Sequence, residues 1–163
     1  FEYAYDHANP QYACSEEAGF VVAVRFTPLF SGQLLAARYY MRYLYQSNTF
    51  KVHVMDEDRE DLIAPFNVIP TSEGWFDVDL SSYGLSIVEG INFYVGMEWI
   101  MDYYPYLGKD GTSPSNRSWS VVGTVWKQKT DSDFMIRAVV GTGAPEIAVG
   151  VNCLLYTSDA ADE

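Results

Sequence analysis

Residues 34–43 read LLAARYYMRY, and the period assigned to them decides the fold. Leu35, Ala37, Tyr39, Met41 and Tyr43 fall on one side of a two-residue repeat, with Ala36, Arg38, Tyr40 and Arg42 on the other. Successive side chains of a strand point to opposite faces, so this alternation describes a half-buried strand. A helix is the rival reading. Tyrosine is too dense in the run to favour it, and no capping box precedes it.

The same period recurs on both sides. Phe20, Val22, Val24 and Phe26 alternate with Val21, Ala23 and Arg25, and Thr27-Pro28 closes that run. Phe50, Val52 and Val54 alternate with Lys51, His53 and Met55. Further runs are centred on Phe76–Leu80, Ile91–Trp99 and Phe134–Val140. Turn signals separate them at Ser31-Gly32, Ser72-Glu73-Gly74, Glu89-Gly90, Asp110-Gly111 and Ser132-Asp133. Short strands at fairly regular spacing, without amphipathic helices between them, predict an all-β chain: an antiparallel β-sandwich, jelly-roll-like. After Val140 the pattern stops at Gly141-Thr142-Gly143-Ala144-Pro145, which has linker composition.

The totals agree. The 163 residues suffice for one domain with a hydrophobic core and some extra chain, and 48% hydrophobic with 16% aromatic content is too rich for disorder. The net charge is −12, and −9 without the acids Asp159, Asp162 and Glu163. Such a field repels phosphate backbones and anionic membranes, so neither nucleic acid nor membrane insertion is expected. No run approaches the length of a transmembrane helix. The first residue is Phe1, with no basic-then-apolar leader after it, which reads as a processed form or an internal fragment. Cys14 and Cys153 make neither a disulfide framework nor a metal spacing.

Several segments, taken in order, resemble one family. They are EYAYDHANP (2–10), Val24-Arg25-Phe26-Thr27-Pro28, Leu34 to Tyr40, FKVHVMDED, GWFDVDLSSYG, INFYVGMEW, YYPYLGKDG, NRSWS and DFMIRAVVG. The set is similar to a β-sandwich module of secreted and surface multidomain proteins of bacteria and archaea, often found beside peptidase or Ig-like domains. That module opens on a Tyr-Asp-Asp-Gly-type segment; Tyr5-Asp6 match it and His7-Ala8 depart from it. The resemblance covers most of residues 2–141. It implies an extracellular or cell-surface location and a non-catalytic accessory role that links, positions or displays neighbouring domains. Residues 144–149 resemble the first strand of an Ig-like domain that often follows. Residues 153–163 resemble translated sequencing-adapter read-through from environmental assemblies. The expected organisation is a module over 1–141, a linker and truncated Ig-like start over 142–151, and a non-native tail over 152–163. A Cys14–Cys153 disulfide is then no selected feature.

Candidate chemistry lies in two places. WIMDYYPYLGKDGT (99–112) carries Tyr103, Tyr104, Tyr106 and Asp110, and Trp119 and Trp126 follow. Exposed rings offer apolar faces to sugar C–H groups and neighbouring carboxylates bond hydroxyls, so polysaccharide is the alternative partner. Capping of the sandwich core by the same tyrosines is the plainer reading. In MDEDREDL (55–62), Asp56, Asp58 and Glu60 follow the alternate spacing of a calcium loop, with Asp61 beside them, which suggests structural calcium. Asp61 stands where such a loop needs Gly, and no closing Glu follows, so a solvated loop is the other reading. Asp77 and Asp79 beside Trp75 have a glycosidase-like separation, yet alternation alone puts them on a polar face. Neither histidine, His7 or His53, sits in a nucleophile motif, so no enzyme is expected. No cofactor is expected apart from that calcium.

Overall fold

The computed structural model describes residues 1–45 and 48–142. The expectations for residues 143–163, including the tail and any pairing of Cys153, lie outside them. Among the described residues there is no helix long and apolar enough to cross a membrane.

The LLAARYYMRY run lies in the spine of the molecule, β4 (Gly32–Tyr43). Along one edge it pairs with β14 (Ile136–Gly141) from Gln33 to Tyr39, and then with β10 (Tyr106–Asp110) at Met41 and Tyr43. Along the other edge it pairs with β8 (Ser86–Ile87) at Gly32 and Gln33, then with β7 (Gly74–Asp79) from Ala36 to Met41. β1 (Glu2–Tyr3) lies outside β14, while β2 (Tyr12–Cys14) and β13 (Asp133–Phe134) pair with β10. The second sheet runs in the order β12 (Val125–Lys129), β11 (Ser118–Val122), β3 (Val21–Phe26), β9 (Phe93–Trp99), β5 (Phe50–Met55), β6 (Phe66–Val68). Every pairing is antiparallel. The predicted all-β sandwich is the observed fold.

Regular pairing breaks at two points in β4, one of them against β10 between Met41 and Tyr43. Its register against β14 jumps from Ala36–Val139 to Leu34–Val140, so Leu35 is the extra residue of a β-bulge. The bulge carries Leu35 off the inner face and puts Leu34 there, in line with Ala37, Tyr39 and Met41. Close approach is enforced nearby: a Cβ on Gly32 would lie 2.2 Å from the Gly141 carbonyl oxygen.

The core fills the gap between the sheets. Leu34, Ala37, Tyr39, Met41, Ile136 and Ala138 face Val22, Val24, Phe26, Phe50, Val52, Val95 and Met97. Two aromatic polar atoms buried between the sheets are matched, as a low-dielectric interior requires. The Tyr39 hydroxyl donates to the Gly96 carbonyl at 3.0 Å, and Trp99 Nε1 donates to the Pro105 carbonyl at 2.8 Å.

The registers define two ends. At the Gly32 end of β4 lie Gly141 and Ile87, and Phe1 and Val140 exchange backbone hydrogen bonds at 2.8 Å. At its Tyr43 end lies Tyr106. In the second sheet the Trp99 bond to Pro105 places Trp99, Phe50 and Val21 at the tyrosine end. Phe93, Phe26 and Met55 therefore fall at the other end.

Candidate functional site

The tyrosine end is built by β10 and the loop from Trp99. The loop turns through Tyr103, which takes a left-handed φ of 66°, and reaches β10 through a cis Tyr104–Pro105 peptide. The structure brings Tyr104 and Tyr106 together at 5.5 Å and adds two rings that sequence reasoning did not select. Tyr43 meets Tyr106 edge-on at 5.4 Å, and Tyr45 stacks on Tyr104 at 5.2 Å and 27°. Tyr43 and Tyr45 were legible as a continuation of the tyrosine-dense run of β4, and their partner was not. Tyr45 is 63% exposed, so one of its faces is open to solvent. Tyr103 leaves the cluster: its N–H donates to the Glu16 carbonyl at 2.8 Å, and its hydroxyl donates to Glu17 at 3.4 Å. The Glu17 carboxylate, with slight burial next, pushes the Tyr103 phenol above its usual range.

Asp110 does not join the tyrosines. It is 1% exposed and accepts from the backbone N–H of His7 at 2.6 Å and of Thr112 at 2.9 Å. Burial opposes its ionisation, but these bonds outweigh it and hold the carboxyl below the usual carboxylate range. Its work is to seat the N-terminal segment and close a turn.

Trp119 and Trp126 also lie elsewhere. They sit on the outer face of the second sheet, on a hairpin of β11 and β12 joined through Gly123, which takes a φ of 61°. Together with Ala23, Met55 and Tyr94 they form a small second apolar cluster. Arg59 covers both indoles, its guanidinium carbon 5.1 Å from the Trp119 ring and 4.7 Å from the Trp126 ring. The rings that sequence reasoning grouped into one binding face therefore form two separate clusters, and the tryptophan faces are occupied by the chain's own cation.

The acidic loop is a turn with its own internal bonds. Asp56 accepts from the Glu60 N–H through Oδ1 at 3.0 Å, and its own N–H donates to the Glu60 carbonyl at 2.9 Å. Glu57 and Asp58 are exposed. Asp61 turns away to His53 Nδ1 at 3.0 Å, while His53 Nε2 meets Glu98 at 2.8 Å. The four calcium candidates therefore do not converge, and among the described residues no group of three His, Cys, Asp or Glu is disposed to hold a metal ion.

The remaining carboxylates serve the outer face of the first sheet. Asp77 pairs with Arg38 at 2.6 Å, and Asp79 accepts from the Ser81 hydroxyl and N–H, which holds it below the usual carboxylate range. Arg38 also pairs with Glu2, and Arg137 binds both Glu2 and Asp6 at 2.6 Å while lying over Trp75 at 4.1 Å. This network pins the N-terminal strand to β4, β7 and β14. The sequence matches no protein-family model, and no curated protein is similar enough to it to count as a relative.

Proposed function

We propose that the chain is a non-catalytic accessory module of an extracellular or cell-surface protein, holding and displaying the domains beside it. One observation carries this reading. Phe1 and Val140 are bonded to each other, so chain joined ahead of Phe1 and chain leaving Gly141 share one end of the sandwich. Fixed at that end, the body carries its tyrosine cluster outward by the length of β4, about 40 Å at ~3.3 Å per residue. The resemblance in the ordered segments supports the same role, and the charge of −12 keeps such a body solvated.

A second reading, polysaccharide binding, is favoured by the open face of Tyr45 stacked on Tyr104. The two separate cleanly. Residues 1–143, flanked by two folded reporter domains, should give small-angle scattering with both reporters on one side; reporters at opposite ends would sink the display role. The same protein without reporters is passed over a panel of soluble and insoluble polysaccharides. Retention that Tyr45→Ala and Tyr104→Ala abolish, with the circular dichroism unchanged, would replace the display role with carbohydrate binding.

A further inference from the structure

We propose that the pocket beneath the acidic loop binds a basic, apolar polypeptide segment. The pocket has a volume of about 170 Å³ and opens to solvent at the Phe93 end of the second sheet. Ile87 and Phe93, both buried, are its floor. Around its mouth stand Leu62, Val88 and Ile91, exposed by 44%, 55% and 48%. Single exposed aliphatic side chains are ordinary, but three converging on one concave opening form an apolar surface fit for a partner. Covering it removes apolar area from water at roughly 25 cal/mol per Å².

Backbone bonds hold the walls in place. On one side the Ile91 N–H donates to the Val88 carbonyl at 3.1 Å, the Gly90 N–H to the Pro28 carbonyl at 2.9 Å, and the Glu89 N–H to Ser31 Oγ at 3.0 Å. On the other the Leu62 N–H donates to the Val54 carbonyl at 2.8 Å. The groove exists before any partner arrives, which lowers the entropic cost of binding.

Charge selects the occupant. Asp56, Glu57 and Asp58 line the same pocket. Arg59, the nearest cation in sequence, takes a φ of 70° and lies over Trp119 and Trp126 instead. With a net charge of −12, the chain attracts a cation from a distance, and this rim meets it beside aliphatic side chains. An uncharged apolar ligand would leave the Glu57 and Asp58 carboxylates without partners, and an acidic one would be repelled. A segment with Lys or Arg beside Val, Leu or Ile matches both surfaces.

The test uses the full chain and fluorescence anisotropy of three labelled peptides: Val-Lys-Leu-Arg-Val, Val-Gln-Leu-Gln-Val and Val-Glu-Leu-Glu-Val. The basic peptide should bind saturably, the neutral one about tenfold more weakly and the acidic one not at all. Ile91→Ser should weaken the basic peptide about tenfold. Glu57→Gln combined with Asp58→Asn should flatten the dependence on salt. Glu73→Gln, an exposed carboxylate beside β7 at the opposite end, should change nothing. All these side chains are exposed, so the variants keep the fold. The proposal is overturned by the absence of saturable binding, by equal binding of the three peptides, or by binding indifferent to Ile91→Ser.

Discussion

Cys14 packs against the core from β2, and burial pushes its thiol up to about 12. The thiolate is the reactive form, so at neutral pH this sulfur is inert in the folded chain. In a Cys153→Ser variant, dinitrothiobenzoate should react slowly at pH 8 and completely after guanidinium is added; a rapid native reaction would refute the assignment. Arg59 is the other residue whose surroundings set its behaviour. Cation–π contact with two indoles contributes about 0.5–2 kcal/mol, and Ala would keep the unfavourable left-handed backbone while losing that contact. Arg59→Ala should therefore lower the urea-unfolding free energy by about 1 kcal/mol and alter tryptophan emission. Unchanged stability would mean that the clamp holds nothing.

At the scale of elements, the six alternating runs all became strands, because the period of two is a direct projection of one buried face. The strands that sequence reasoning passed over fail that test for stated reasons. β1, β2, β6, β8 and β13 are two or three residues long, too short to show a period, and β10 was masked by the tyrosine-rich loop that it continues. β11 and β12 had a signal: Ser118–Val122 and Val125–Lys129 flank the pair Gly123-Thr124, the spacing of a tight hairpin. It was obscured because the outer face of the second sheet is itself apolar there, under Arg59. The candidate site was half legible. Adjacent tyrosines meet in space, but Trp119, Trp126 and Asp110 join other parts of the fold through long-range pairings that no local pattern encodes. The bulge at Leu35 is equally silent in sequence, yet the glycines beside it speak. Gly32→Ala would drive a methyl against the Gly141 carbonyl and force β4 and β14 apart. We expect a loss of about 1–3 kcal/mol, read as a lower Tm by circular dichroism; an unchanged Tm would show that the two strands separate without cost.

At the scale of the whole molecule, acid is the expected route to loosening. Burial opposes ionisation of Glu2, but hydrogen bonds from Arg38 and Arg137, and their charges, outweigh it and hold its carboxyl below the usual 4.5. A carboxyl lowered in the folded state contributes stability that is fully present above its unfolded value and lost as pH falls through the folded one. Urea midpoints of the parent chain and of Glu2→Gln should therefore differ at pH 7 and converge as pH drops below about 4.5. A gap that persists at low pH would assign the effect of Glu2 to packing instead. Protonating Glu2 leaves Arg38 and Arg137 with fewer partners at the strand that closes the first sheet. That strand has a mechanical consequence. β1 and β14 are antiparallel, and Phe1 and Val140 lie together at one end of their ladder. Tension applied through the two chain ends parts the ladder like a zipper, one pair at a time, and never shears the sheets lengthwise. Loaded through its two ends, the body would hang as a pendant and yield first at its own clasp.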